Sequence, residues 1–359
     1  MAQPATETEF TLDTAAELAA EESGAVIRGR SPWYLAWRRL RRNYVAFAFL
    51  GLFVLVVVAC MLAPLYAHHV AGTGPNNTHV LDTIRVHGQT VDVVSKGGVL
   101  GGKLVASTPV GPEWFAASGK YVLGADQLGR DIAVRLLYGG RTSLFVGIVS
   151  SLICVVAATI LALLAGFYGG WLDFVITRFF DLFYAFPVIL LGIALGAALA
   201  INGIHLWFIK ASSGNIMIPT LVISYVLIPY VGRPLRGQVL SLRQKEFVEA
   251  SIAQGAGPLR IMFTELLPNV ASSILVFFTL IIANNIVLEA ALSFLGAGVQ
   301  PPTASWGTLI SDGQGLIVTR PWFAIMPGIA IVLTVLSLNV FGDGLRDALD
   351  PRAKVKIEH

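Results

Sequence analysis

The sequence predicts an all-α polytopic membrane protein: a bundle of six membrane-spanning helices with a polar insertion between the first and the second. Three observations lead there. The 359 residues are 55% apolar and only 13% charged, and the mean hydropathy is +0.72, a combination that few soluble proteins have. The apolar residues gather in runs of the length a bilayer requires, about 20 helical residues for a hydrocarbon core of roughly 30 Å. Basic residues cluster beside those runs, so the net charge of +3 reflects topology rather than nucleic-acid binding.

The spans are expected at Tyr44 to Tyr66, Leu144 to Phe167, Phe174 to Ala200, Ile216 to Val231, Val270 to Phe294 and Trp322 to Phe341. The fourth is short and carries Pro219 and Pro229, which softens its ends. Five segments follow from this division: a cytoplasmic tail with a basic juxtamembrane stretch (1–43), the first span (44–66), an extracytoplasmic insertion ending in an amphipathic segment (67–143), a five-helix core (144–342) enclosing a cytoplasmic loop (232–269), and a cytoplasmic C-terminal tail (343–359).

Residues 1–27 contain Glu7, Glu9, Asp13, Glu17, Glu21 and Glu22 but no Lys or Arg, the composition of a disordered or loosely helical tail. The basic start and short apolar core of a cleaved signal peptide are missing, so the first span is expected to stay as an anchor. Arg38, Arg39, Arg41 and Arg42 precede that span and place the N-terminus in the cytoplasm. With six crossings, the loop around Glu249 and the C-terminal Arg346, Arg352, Lys354 and Lys356 fall on the same side.

The insertion after the first span is polar, with Gly97-Gly98, Gly101-Gly102 and an alternating run from Thr90 to Val94, so it is expected to carry strands. His68, His69, His79 and His87 lack metal-ligand spacing and have no cysteine or paired carboxylate beside them, which favours solvated loop histidines over a metal site. Cys60 and Cys154 both fall inside expected spans, and no disulfide framework is indicated. The insertion ends in LGADQLGRD, where Asp131 is placed to cap the next helix and Gly129 to permit the turn before it.

Lys245 to Asn269, KEFVEASIAQGAGPLRIMFTELLPN, is a polar island between two apolar segments. Phe247, Ala250, Ser251 and Gln254 recur at helical spacing; Gly255 and Gly257-Pro258 then break the helix, and a second begins near Leu259. Glycine at the break allows a left-handed turn and close approach of another surface, and Pro258 suits a first helical turn. Pro268 marks the passage of the second helix into the membrane.

Glu249, Ala250, Ser251, Gly255, Leu267 and Pro268 resemble the cytoplasmic loop motif of ABC importer permeases, EAA-x3-G-x9-I-x-LP, with Ser251 in place of the second alanine and Glu265 in place of the isoleucine. Leu123 to Asp131 resembles the LGTD-x-x-GRD signature of the dipeptide, oligopeptide and nickel permeases, with Ala125 in place of threonine. Glu289 to Gly307 and Gly342 to Arg352 resemble the same family's fifth-span exit and C-terminal ending. The matches cover most of the chain from Leu123 onward and resemble the C-type subunit. The resemblance implies a type I importer permease with Phe247, Glu249, Ala250, Ser251, Gly255, Gly257, Leu267 and Pro268 in ATPase coupling. It also implies partners: a homologous B-type permease, two ATP-binding subunits that hold the ATP and Mg, an extracytoplasmic solute-binding protein, and the bilayer of a bacterial inner membrane. Short peptides are the implied substrates, with nickel or oligosaccharides as the alternative.

No catalytic motif is present. Gly102-Lys103 and Gly119-Lys120 lack the Ser or Thr and glycine-rich lead of a Walker A loop, and neither an HExxH nor a GxSxG sequence occurs. The chain is therefore expected to be neither the ATPase nor a hydrolase, and to bind no cofactor of its own. A secondary transporter or channel would leave the loop motif unexplained, and a membrane enzyme would be expected to work as an isolated chain. Polar residues inside spans are costly, which makes Asn284, Asn285 and Glu289 candidates for a translocation path, with Asp181 and Asn339 beside them; each competes with a role in helix-helix hydrogen bonding.

Overall fold

The structure, a computed structural model, describes residues 32–349 apart from 87–88, 96–97, 101–102, 106–107, 114–119, 207–208 and 213. The acidic tail, His87 and the last ten residues, with Arg352, Lys354 and Lys356, lie outside the described residues.

Among the described residues five helices are long and apolar enough to cross a membrane, and a sixth crossing is formed if one bent pair counts as a single span. An amphipathic helix, α1 (Pro32–Arg42), comes first. Its Ala36 and Leu40 turn inward, one helical turn apart, while Arg38, Arg41 and Arg42 are exposed. The span α2 (Tyr44–Met61) starts where the Asn43 side chain accepts the Ala46 N–H at 3.0 Å.

The second long helix, α3 (Ile132–Tyr168), begins well before Leu144. Asp131 caps it by accepting the N–H groups of Ala133 and Val134 at 2.8 and 3.1 Å. The segment read as a separate amphipathic stretch through Arg135 and Arg141 is thus the first three turns of α3. At about 1.5 Å per residue the helix is about 55 Å long and projects beyond the hydrocarbon layer, which accommodates those charges.

The run expected as one span from Phe174 to Ala200 is two helices, α4 (Gly170–Tyr184) and α5 (Val188–Asn202), bent by 93°. Pro187 explains the break. It has no N–H to donate and disfavours helical geometry at Phe186, and its own ψ of 128° is non-helical. The fourth span, α6 (Met217–Arg243), passes through Pro229 and Pro234 and runs well past Val231. A short helix, α7 (Glu246–Ala253), follows. From Pro258 to Phe294 the chain is helical, including a π-helical stretch, Ile261–Leu266, that leads into α8 (Leu267–Phe294).

Between α8 and the last span lies α9 (Trp306–Gln314), which sequence periodicity did not reveal. It is set by a capping box: Ser305 Oγ accepts the Thr308 N–H at 3.1 Å, and Thr308 Oγ1 accepts the Ser305 N–H at 2.8 Å. The chain closes with α10 (Trp322–Leu349), which packs along α2. Gly344 sits so close to α2 that a Cβ there would lie 2.4 Å from Ala46 Cβ.

The core centres on α3, where Ala158, Ala162 and Ala165 meet Ile223, Leu227, Val231 and Leu235 of α6. Small residues permit this approach: a Cβ on Gly166 would come within 2.6 Å of Val239 Cγ1. The insertion between α2 and α3 contains two antiparallel hairpins, β1 (Thr83–Val86) with β2 (Gln89–Asp92) and β3 (Gly98–Leu100) with β4 (Lys103–Val105). The alternating run from Thr90 falls on β2, and Val93, Val94, Val110, Tyr121 and Ala125 form a small core beneath it. A third hairpin, β5 (Ile204–Leu206) with β6 (Ile209–Ala211), joins α5 to α6.

Candidate functional site

At one end of the bundle α7 hangs below α6 and α8 by a single side chain. Val248 is fully buried among Leu163, Val239, Ile261, Met262, Leu266 and Val270. The stripe read from periodicity, Phe247, Ala250, Ser251 and Gln254, faces away from this anchor; all but the half-buried Ser251 are exposed. Glu249 is exposed and has no side-chain hydrogen bond or ion pair among the described residues. The inward residue was missed because one valine every two turns has no periodicity to detect.

The end of α7 is a Schellman turn. The Ala256 N–H donates to Ser251 O at 3.0 Å and the Gly255 N–H to Ile252 O at 2.9 Å. This geometry puts Gly255 at φ +81°, where L residues are strained, although a Cβ there would meet nothing within 4 Å. Gly257 has an ordinary φ of −72° and equally open space, so this chain alone gives no reason for glycine there. Pro258 then occupies the first helical position. Pro268 lies in the first turn of α8, and the Asn269 side chain donates to the Glu265 carbonyl at 2.6 Å. Leu267 and Glu265 are half-buried, while Leu266 and Ile261 make the enclosed apolar contacts. While Leu259 and Phe263 line an apolar groove with Val156 and Ile160 of α3, α7 presents exposed Phe247 and Ile252 at a helix tip held by one anchor. Such a tip can seat in a cleft and carry its displacement into α6 and α8.

The three residues expected along a path separate. Asn284 is exposed and lines a cavity of about 490 Å³ between α5, α6 and α8, whose wall is otherwise mainly apolar and includes Tyr230. Asn285 is fully buried on the other side of α8. With its carboxamide oxygen toward α3, it accepts from Ser150 and Ser151 hydroxyls at 2.7 and 2.8 Å, and its nitrogen donates to Ile281 O at 3.3 Å. Glu289 is also fully buried. Its carboxylate accepts from Ser143 Oγ and Ser293 Oγ, both at 2.7 Å. Behind them, the Trp306 N–H donates to Ser143 Oγ at 3.1 Å and the Val299 N–H to Ser293 Oγ at 3.0 Å. Glu289 thus joins α3, α8 and the entry to α9 in a satisfied polar network. Asn339 is half-buried on α10.

Asp181 faces α6, pairing with Arg233, and Arg178 Nη1 lies 3.4 Å from it. A second ion pair between the same helices joins Asp173 to Arg236 through both guanidinium Nε and Nη2.

At the opposite end, the LGADQLGRD segment pins the insertion to the bundle. Besides capping α3, Asp131 accepts the Tyr121 N–H at 2.8 Å. Burial raises the Asp131 carboxyl above the ordinary carboxylate range against the pull of these three N–H groups. The Tyr121 phenol is pushed up to about 12 by burial and by Asp131. Asp126 accepts the N–H groups of Leu128 and Arg130 at 2.9 Å each and pairs with the Arg130 side chain at 2.6 Å. Buried Arg135 reaches Pro75 O at 3.2 Å and Asp312 of α9 at 3.2 Å. His79 bonds Asp82 and Thr73 at 2.7 and 2.8 Å, and among the described residues no group of three or more His, Cys, Asp or Glu converges on one point.

The chain folds as a long-helix bundle with a protruding helix tip at one end, and its family makes it a transport permease, the non-catalytic membrane subunit of an ATP-driven importer. The chain belongs to the family of binding-protein-dependent transport system inner membrane components, which matches residues 158–355. Residues 31–79 match the N-terminal transmembrane domain of oligopeptide transport permease C. Among similar proteins, the glutathione transport system permease protein GsiD of Pectobacterium atrosepticum is 38% identical over 325 residues, covering 90% of this chain and 93% of the relative. The dipeptide transport system permease protein DppC of Alkalihalophilus pseudofirmus is 37% identical over 325 residues, covering 90% and 91%. GsiD of Escherichia coli is 38% identical over 326 residues, covering 90% and 92%. An inward-facing structure of the MetNI methionine ABC transporter aligns with TM-score 0.49 and 19% identity over 60% of this chain and 96% of that one. As a member of the family, the chain is a multi-pass inner-membrane protein that works with an ATPase and a binding protein.

Proposed function

We propose that the chain is the C-type permease of an importer for short peptides, paired with a homologous B-type permease and driven by two ATP-binding subunits, one of which docks on α7. The exposed helix tip around Glu249 and Gly255, anchored by Val248 alone, is the observation that carries the coupling role. Both termini lie on the cytoplasmic side with α7, in keeping with the basic residues of α1. A solute-binding protein delivers substrate to the opposite face, where the LGADQLGRD segment and α9 lie. ATP and Mg stay on the ATP-binding subunits. Glu249, Ala250, Ser251 and Phe247 face the docking cleft, Gly255 and Gly257 leave room for it, and Leu267 and Pro268 carry the movement into α8. ATP drives the switch between inward-facing and outward-facing states because it binds one of them better.

Short peptides are the substrate class because relatives matching nine tenths of the chain are named for dipeptide and glutathione transport. Uptake of a labelled dipeptide and a labelled oligopeptide into vesicles, with partner subunits present and with or without ATP, tests this. ATP-dependent accumulation lost in Gly255→Asp supports it. ATP hydrolysis without accumulation of either peptide removes the substrate assignment, and accumulation without ATP removes the mechanism.

A further inference from the structure

Two ion pairs bridge α4 and α6, and they differ in a way that a purely structural role does not explain. Asp173 and Arg236 meet through two guanidinium nitrogens with side chains 21% and 24% exposed. Asp181 and Arg233 meet through one nitrogen, about two turns further along α4, with side chains 41% and 45% exposed. Half-exposed charges on membrane-spanning helices do not face lipid; they face water or a cavity.

The open pair does not itself line a cavity but is linked to one through two tyrosine rings. Arg233 lies over the Tyr184 ring, 4.3 Å from its centroid, and the Tyr184 and Tyr230 rings are 4.7 Å apart. Tyr230 in turn lines the cavity of about 490 Å³ that Asn284 also lines. The series Asn284, Tyr230, Tyr184, Arg233, Asp181 therefore runs from an amide, through two phenol rings, to a cation and an anion. It lies beside the 93° bend at Pro187, between α4 and α5.

We propose that Arg233 and Asp181 are a binding station for the two charged ends of a free short peptide on its way through the bundle. The Arg233 guanidinium takes the peptide carboxylate, for which its planar fork is suited. Asp181 takes the ammonium group, while Tyr230 and Asn284 offer hydrogen bonds beside the mainly apolar wall. A dipeptide's ends are roughly 7 Å apart when extended, so the pair need only part by side-chain rotation to admit it. With no passenger Asp181 is held between Arg233 and Arg178, so its carboxylate is not left unpaired. The station rests on the peptide-importer reading and adds to it the chemical feature recognised inside the membrane.

The test uses the whole transporter in proteoliposomes with its binding protein, labelled di- and tripeptides, and the ratio of peptide accumulated to ATP hydrolysed. The double variant Asp181→Asn with Arg233→Gln keeps side-chain size and removes both charges. The ratio is expected to fall at least about tenfold, the scale of losing charge-assisted hydrogen bonds. Asp173→Asn with Arg236→Gln is the control, expected to lower the yield of folded protein and leave the ratio unchanged. An unchanged ratio in the first variant, whether uptake and hydrolysis both persist or both fall together, overturns the station. Wild-type proteoliposomes that hydrolyse ATP and accumulate none of the peptides overturn the importer reading, and the station with it.

Discussion

Gly255 holds φ +81° as the residue that reverses the chain at the end of α7, and nothing within 4 Å of a would-be Cβ obstructs it. A side chain there therefore costs only the backbone strain of a left-handed L residue, about 1–2 kcal/mol, and less for asparagine. A bundle with the usual ~5–15 kcal/mol of stability survives that loss, so the amount of inserted protein is expected to stay at the wild-type level. The strain acts instead on α7, whose only buried side chain is Val248, and it shifts the population of the turn by about 5–30-fold. Gly255→Ala is expected to lower ATP-driven uptake by about tenfold, with Gly255→Asn between it and wild type. Gly255→Asp adds a negative charge on the open face of the turn and is expected to abolish uptake. The assay is initial uptake of labelled dipeptide per inserted copy, with insertion measured by quantitative immunoblot. Wild-type uptake by Gly255→Asp at normal insertion would refute the reasoning, and an order of effects that ignores left-handed propensity would refute the strain argument alone.

Glu249→Lys reverses a charge that has no partner within the described chain, so uptake is expected to be lost while the melting temperature of the purified complex stays within a degree or two. Val248→Ala removes two methyl groups from the only anchor of α7 and is expected to uncouple ATP hydrolysis from uptake, at a cost to fold stability of about 1–2 kcal/mol. Glu289→Leu deprives two buried serine hydroxyls of their acceptor and is expected to destabilise the bundle by about 2–4 kcal/mol, with Glu289→Gln milder, both read by thermal unfolding in detergent. Asp312, exposed in part, has its carboxyl raised above the ordinary range mainly by burial, against the pull of Arg135. Its folded state thus holds the proton more tightly than the unfolded state, a contribution fully present below the unfolded value and lost as pH rises through the folded one. Asp312→Asn is expected to flatten that part of the stability profile, and an unchanged slope would count against it.

The spans were legible because a run of apolar residues is a direct statement about solvent, and α2, α3, α6, α8 and α10 all lie where such runs were found. Their ends were less so. Asp131 starts α3 before Leu144 because a capped helix continues through polar residues once formed, and hydropathy does not register a cap. The break at Pro187 lies inside an uninterrupted apolar run, so only the proline signalled it. The capping box at Ser305 sets α9 at the end of a segment that resembled the family's fifth-span exit but had no helical stripe. The path candidates show the same limit: Asn284 and Asn285 are neighbours in sequence and face opposite environments, one a cavity and the other Ser150 and Ser151. Which side of a helix meets a partner is a tertiary fact, and it puts Glu289, a path candidate, at the centre of a buried network.

The claim that α7 is where the ATP-binding subunit docks is tested most directly by cross-linking. Cys60 and Cys154 are both buried, so a cysteine introduced at exposed Gln254 is the reactive thiol of this chain. Labelled with a photoactivatable maleimide in the intact complex, Gln254→Cys is expected to cross-link to the ATP-binding subunit, with a yield that changes when ATP is bound. A complex that retains its ATP-binding subunits yet gives no such cross-link from this position, in any nucleotide state, would contradict the account.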